Sequence, residues 1–292
     1  MDNRVGNLLG LLGRAIRCVW RHKRASACGA VVTVVAGYTC LFVLVSCSTS
    51  PTAERFTLPD QDVLAYQSVA GGDAEGGRVL LVHGAPADAG AWDRLLDRPE
   101  EILAAEISAV DRIGYGNSTK RDELTLAGHA ASLMPLLEGT NNRKPVVVGH
   151  SYGAPVALRL AVDAPDRVGA VVLVAGACDA YMKDSQGFRR AVDGGSALVP
   201  EPWARANREL LALTDENRAM EPLLGRVTCP VFIVHGTWDG VCPHDSTVAY
   251  LKDRLVNAAE VRVVSLDRAG HNLHLSHLDE VIEAINSAQG AE

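Results

Sequence analysis

Ser151 lies in Gly149-His150-Ser151-Tyr152-Gly153, a G-x-S-x-G pattern that follows a short apolar run and opens a helical one. Flanking glycines let a chain turn sharply from strand to helix, because side chains at 149 or 153 would collide with neighbouring backbone. Such a turn raises the Ser151 hydroxyl above a sheet at a helix N-terminus, where peptide dipoles favour developing negative charge. Pro155 agrees with this placement, since the first helical turn has no intrahelical bond for its missing N–H to lose. A serine hydroxyl is a weak nucleophile near neutral pH and needs an adjacent base. His271, His274 and His277, spaced by three, suggest a rival chemistry, a metal site. Successive steps of three drift round a helix and no HExxH carboxylate accompanies them, so no metal and no cofactor is expected.

The elements that must carry these residues alternate. Short β-branched runs recur at Val79–His83, Ile107–Val110, Val146–Val148, Ala170–Val174, Val231–Val234 and Val261–Leu266. Apolar runs of that length bounded by turn residues read as buried strands. Helical patterns lie between them at Leu126–Leu137, Tyr152–Val162, Ser246–Leu255 and Leu278–Ser287. The alternation predicts an α/β domain over 61–288, a mostly parallel sheet of about eight strands flanked by helices. An earlier stretch, Asp62–Val69, reads as an antiparallel strand. The rhythm fails over 178–226, which predicts a small helical lid inserted at one end of the sheet.

Composition narrows the function classes. The chain has 292 residues, a net charge of −7 and 5% aromatic residues. An acidic body with few aromatics argues against nucleic acid as a partner. Charge is unevenly divided, with six Lys/Arg and one acid in residues 1–46. Ala25–Val45 is a 21-residue run without charge, directly after Arg21-His22-Lys23-Arg24. A helix of about 20 apolar residues spans a bilayer, and basic flanks stay cytoplasmic. The body is therefore expected to be exported and membrane-anchored, facing the periplasm. Residues 1–46 form the leader and the polar stretch 47–60 reads as a tether. Among the body cysteines, Cys178, Cys229 and Cys242, a bridge between 178 and 242 is conceivable in an exported protein. Free, partly buried thiols are the plainer expectation.

Two resemblances sharpen this. Leu44-Val45-Ser46-Cys47 is similar to the lipobox of bacterial lipoproteins, which implies cleavage before Cys47 and lipid on its thiol; an uncleaved signal anchor is the alternative. The body resembles the α/β-hydrolase family over roughly residues 60–288. Besides the serine turn, the matching segments are His83-Gly84-Ala85-Pro86, Asp111 to Ser118 (DRIGYGNS), His235 to Asp239 (HGTWD) and Ala269-Gly270-His271. The family's chain order is Ser, Asp, His.

The resemblance implies roles. Ser151 would attack an acyl carbonyl, His271 would take its proton, and Asp239 would orient the imidazole. Backbone N–H groups of Ala85 and Tyr152 would form the oxyanion hole. Asp179 is a rival acid, and His244 a poor rival base because it precedes the last strand. His83 and His150 read as turn-shaping residues and Asp111 as a loop brace. Trp92, Trp238 and Val241 are candidates for the substrate pocket. Tyr181, Met182, Phe188, Trp203 and Leu210 of the lid either line that pocket or pack the lid onto the sheet. An H-G-x-P loop is common in relatives with an aspartate nucleophile, but position 151 is Ser, which disfavours their chemistry. The expected activity is ester hydrolysis on a small or medium acyl substrate. C–C bond hydrolysis or acyl transfer on the same fold, and a non-catalytic binding lipoprotein, are the alternatives.

Overall fold

The order of strands along the chain already determines where a site can form. A computed structural model describes residues 54–180 and 199–291. The leader, the lipobox with Cys47, and Tyr181, Met182 and Phe188 lie outside the described residues. Eight strands form one sheet: β1 (Glu54–Thr57), β2 (Val63–Ala70), β3 (Arg78–Val82), β4 (Glu106–Val110), β5 (Val146–His150), β6 (Ala170–Val174), β7 (Val231–Gly236) and β8 (Val261–Leu266). Their order across the sheet is β1-β2-β4-β3-β5-β6-β7-β8. β1 and β2 pair antiparallel, as do β2 and β4, and every other pair is parallel. From β3 the chain steps to β4 on one side and then returns to β5 on the other. Connections diverge at such a switch, leaving a crevice beyond the strands' C-terminal ends.

The sheet is buried on both faces because its strands are apolar on both. Side chains alternate along a strand, so Leu80 and Val82 of β3 face one core while Val79 and Leu81 face the other. The first core is covered by α2 (Leu126–Leu133) and α3 (Gly153–Asp163), the second by α7 (Leu278–Gln289). α1 (Asp93–Leu96) precedes them, and α4 (Trp203–Met220), α5 (His244–Arg254) and α6 (Leu273–Ser276) fall between α3 and α7. β8 is the outer strand beyond β7 and is only partly covered.

Two expectations need correction. The polar stretch 47–60 is not wholly a tether, since Glu54–Thr57 adds a strand to β2 with Phe56 opposite Leu64. Its residues are all exposed, so an edge strand held by backbone hydrogen bonds leaves no apolar alternation to read. The helical pattern 126–137 stops being α-helical at Leu133 and continues as a 3₁₀ turn, Met134–Leu137, where Pro135 cannot donate. The described part of the insertion after β6 is dominated by one 18-residue helix, α4. Cys178 and Cys242 are both buried thiols, and no disulfide joins them.

Candidate active site

The turn after β5 is built as its glycines predict. A Cβ on residue 149 would lie 2.3 Å from the Gly153 carbonyl oxygen, and one on residue 153 would lie 2.2 Å from that of Val82. Ser151 between them takes φ +52°, a left-handed conformation unusual for a residue with a side chain. Helix α3 starts two residues later. The local backbone is therefore bent to present one hydroxyl, and strain of this kind gathers at functional sites.

Loops from two other strand ends supply its partners. His271 Nε2 lies 2.9 Å from Ser151 Oγ, and His271 Nδ1 lies 2.8 Å from Asp239 Oδ2. A carboxylate only accepts, so Nδ1 carries the hydrogen and Nε2 presents its lone pair to the serine hydroxyl. Asp239 sits on the loop after β7, and its other oxygen accepts from the backbone N–H groups of Val241 and Cys242 at 2.8 and 2.9 Å. Burial pushes the Asp239 carboxyl up, but hydrogen bonds from His235 and His271 and from the Cys242 N–H outweigh it and hold the group well below the usual carboxylate range. The buried acid thus stays charged, able to stabilise an imidazolium beside it.

The remaining expected residues divide. Ala85 follows β3 on the neighbouring loop, and among the described residues neither its N–H nor that of Tyr152 donates to another group. Trp238 and Val241 flank Asp239 on the surface, 69% and 46% exposed. Trp92 does not line a pocket: it is 1% exposed, packed in the second core with its ring 5.5 Å from that of His274. It belongs to a 3₁₀ turn whose apolar face points inward, a packing constraint invisible in sequence. Trp203 begins α4 and Leu210, within it, packs against the first core. Asp239, not Asp179, holds His271. The histidine series does not converge. His274 stacks on His150 with ring centres 4.0 Å apart, and His277 Nδ1 lies 2.9 Å from Ser276 Oγ. Asp239, Cys242 and His271 do bring potential metal-binding atoms within 4.8 Å of one another. The hydrogen bond between the acid and the imidazole already accounts for that proximity.

Sequence reasoning left three supporting residues without a role. His235, at the end of β7, places Nε2 at 2.8 Å from the Cys242 carbonyl and 3.4 Å from Asp239 Oδ2, holding the acid's loop closed. Arg112 and Glu209 form a fully buried ion pair at 2.8 Å. Burial opposes the Glu209 charge, yet Arg112 and a hydrogen bond from His129 hold its pKa at about 2. The available signal was an arginine in the loop Asp111–Ser118 and, in the distant α4, two charged residues, Arg205 and Glu209, in helical register with Leu213 and Asn217.

The geometry has counterparts among known proteins. A sequence profile described as the alpha/beta hydrolase family matches residues 79–284. The lipase LipV of Mycobacterium tuberculosis is 35% identical over 125 residues, 43% of this chain and 44% of that protein. The dihydrolipoyllysine-residue acetyltransferase component of the acetoin cleaving system of Cupriavidus necator is 38% identical over 174 residues, 59% of this chain and 42% of that one. This chain thus spans less than half the length of either relative. An esterase from Exiguobacterium antarcticum superposes with a TM-score of 0.64 over 82% of this chain and 100% of that one, at 18% identity, a likeness of fold. On the profile match, the chain belongs to the alpha/beta hydrolase family.

Proposed function

We propose that this protein is a serine hydrolase of small to medium carboxylic esters, working through an acyl-enzyme on Ser151. The observation that carries the proposal is the continuous hydrogen-bond chain Ser151 Oγ, His271 Nε2, His271 Nδ1, Asp239 Oδ2. In the first half-reaction Ser151 Oγ attacks the ester carbonyl carbon and its proton passes to His271 Nε2. The carbonyl oxygen becomes an oxyanion facing the N–H groups of Ala85 and Tyr152. As the tetrahedral adduct collapses, the proton on Nε2 goes to the departing alkoxide. Water then repeats the sequence on the acyl-enzyme, giving up its proton to Nε2, and Ser151 is regenerated as the carboxylic acid leaves. Trp238 and Val241 are placed to meet the substrate's apolar parts at the rim.

The lipase identity supports an ester as substrate. Identity to an acetyltransferase component favours a second reading, in which an acceptor other than water takes the acyl group. Attachment to a membrane through lipidated Cys47, or through the run Ala25–Val45, belongs to the proposal on the sequence pattern alone. Among the described residues no helix is long and apolar enough to cross a membrane.

The test is a fluorophosphonate probe on the full chain, followed by p-nitrophenyl esters of increasing acyl length. Labelling at Ser151 that Ser151→Ala abolishes, together with ester turnover, supports the reading. No labelling and no turnover by the folded protein rejects it. Fatty-acid labelling that persists in Cys47→Ala rejects the lipidated leader.

A further inference from the structure

Arg112 is wholly buried, carries a permanent charge, and has no place in the chemistry above. Several of its partners adjoin the groups that would hold the oxyanion. Its backbone N–H donates to His83 Nε2 at 3.0 Å, which fixes the His83 hydrogen on Nδ1, where it donates to the Gly84 carbonyl at 2.6 Å. Arg112 Nε donates to the His83 carbonyl at 3.2 Å, and Nη2 reaches the Gly84 carbonyl at 3.4 Å. The Gly84 carbonyl belongs to the peptide that carries the Ala85 N–H, and the His83 carbonyl to the peptide before it. The guanidinium carbon lies 4.6 Å from the ring centre of Tyr115 and 4.6 Å from that of Tyr152, so it is clamped between two aromatic rings, one of them on the residue after the serine.

One carboxylate holds the guanidinium in that slot. Glu209 accepts from Arg112 Nη1 at 2.8 Å and from Nη2 at 3.1 Å, a forked pair. Tyr115 Oη donates to Glu209 Oε2 at 2.7 Å, and His129 Nε2 lies 2.9 Å from Oε1. His129 Nε2 also lies 3.0 Å from Arg112 Nη1, so the imidazole touches both members of the pair. Glu209 stands on α4, which lies in the insertion after β6 and not in the sheet.

We propose that Arg112 and Glu209 are a positioning pair, through which helix α4 sets the main-chain donors of Ala85 and Tyr152. The inference rests on the assignment of those two N–H groups to the oxyanion. A buried ion pair is a poor stabilising device, because desolvation consumes most of its attraction and apolar residues of similar volume often serve as well. A geometric task accounts for the pair better. Forked recognition fixes a planar group in orientation as well as in distance, and displacements of about 1 Å at a reacting centre cost on the order of a hundredfold in rate. Neither side chain touches substrate in this account.

The test compares the parent chain with Glu209→Gln, which keeps the shape but loses the charge, and with Tyr115→Phe, which removes a single donor to Glu209. A third variant, Arg112→Met combined with Glu209→Leu, replaces the pair by apolar volume. Measured are kcat and KM on p-nitrophenyl butyrate, the rate of fluorophosphonate labelling, and inhibition by phenylboronic acid, whose serine adduct presents a tetrahedral oxyanion. Glu209→Gln and the double variant are expected to lose about tenfold to a hundredfold in kcat, with KM within about threefold and boronate affinity falling in parallel. Tyr115→Phe moves the same way by less, and decides the matter if the other variants do not fold. A folded variant with unchanged kcat and boronate affinity, or with an altered KM alone, overturns the inference. A parent chain that the fluorophosphonate does not label overturns the hydrolase reading itself, and this inference with it.

Discussion

The Nε2–H of His150 donates to the main-chain carbonyl of His271, 3.1 Å away. The residue before the serine thus holds the loop that brings the imidazole, so Ser151 and His271 are fastened together by a bond independent of the one between them. His150 is buried, and burial holds its ring well below the ordinary histidine value, so it stays neutral. The ring lies between His271 and His274, with centres 5.1 and 4.0 Å away.

If that bond sets the loop, His150→Phe keeps ring volume and stacking but loses the donor. The expected outcome is a fall in kcat of about tenfold with KM nearly unchanged, since what is lost is alignment rather than binding. Slower fluorophosphonate labelling of Ser151 should accompany it. A variant with the parent's labelling rate would show that the loop holds its place without His150.

Asp239 makes a second case, because Asp179 was its rival in the sequence. Asp239→Asn should leave the loop's backbone bonds largely intact while removing the charge beside His271. It should reduce kcat by roughly ten thousandfold, as expected where an orienting carboxylate is replaced by an amide. Asp179→Asn, which leaves the bond to His271 untouched, should stay within about tenfold of the parent. Comparable losses in both would mean that His271 takes its partner from the other loop during turnover.

Much of this was readable because it is local. A strand, a tight turn and a helix are specified by neighbouring residues, so Gly149-His150-Ser151-Tyr152-Gly153 announces its shape. Ala170–Val174 and Val261–Leu266 have the ends that their β-branched runs predict. What sequence could not supply were partners distant along the chain. Arg112 and Glu209 are 97 residues apart, and neither has a local pattern that requires the other. Trp92 looked like a surface aromatic near a site loop, yet its turn faces the core. β1 escaped notice because an edge strand needs only backbone bonds and leaves its side chains exposed.

Buried histidines give the fold an acid-sensitive term. Burial, reinforced by the nearby His271, lowers the pKa of His274 to about 4. An unfolded chain protonates this residue near 6.5, so between those values the unfolded state binds more protons and stability rises with pH. The contribution is complete above about pH 6.5 and declines as pH falls toward 4, by on the order of 3 kcal/mol for this residue. Burial also lowers the pKa of His83 and His150, which adds to the same slope. His274→Phe should flatten the dependence of the urea midpoint on pH across that window. An unchanged slope would place the titration elsewhere.

The left-handed backbone at Ser151 predicts a conflict between stability and activity that two inactive variants can isolate. Both Ser151→Ala and Ser151→Gly lack the hydroxyl and the bond to His271, so their difference reports the backbone alone. At φ +52° an alanine Cβ crowds the following carbonyl, at a cost of roughly 1–2 kcal/mol, whereas glycine has no such penalty. Glycine gives back part of this through the greater freedom of its unfolded chain, roughly 0.5–1 kcal/mol. Ser151→Gly should therefore be the more stable of the two by roughly 0.5–1 kcal/mol in urea unfolding. Equal stabilities, or a more stable alanine variant, would mean that the turn relaxes once the hydroxyl is gone. The strain would then belong to the serine's contacts and not to its backbone.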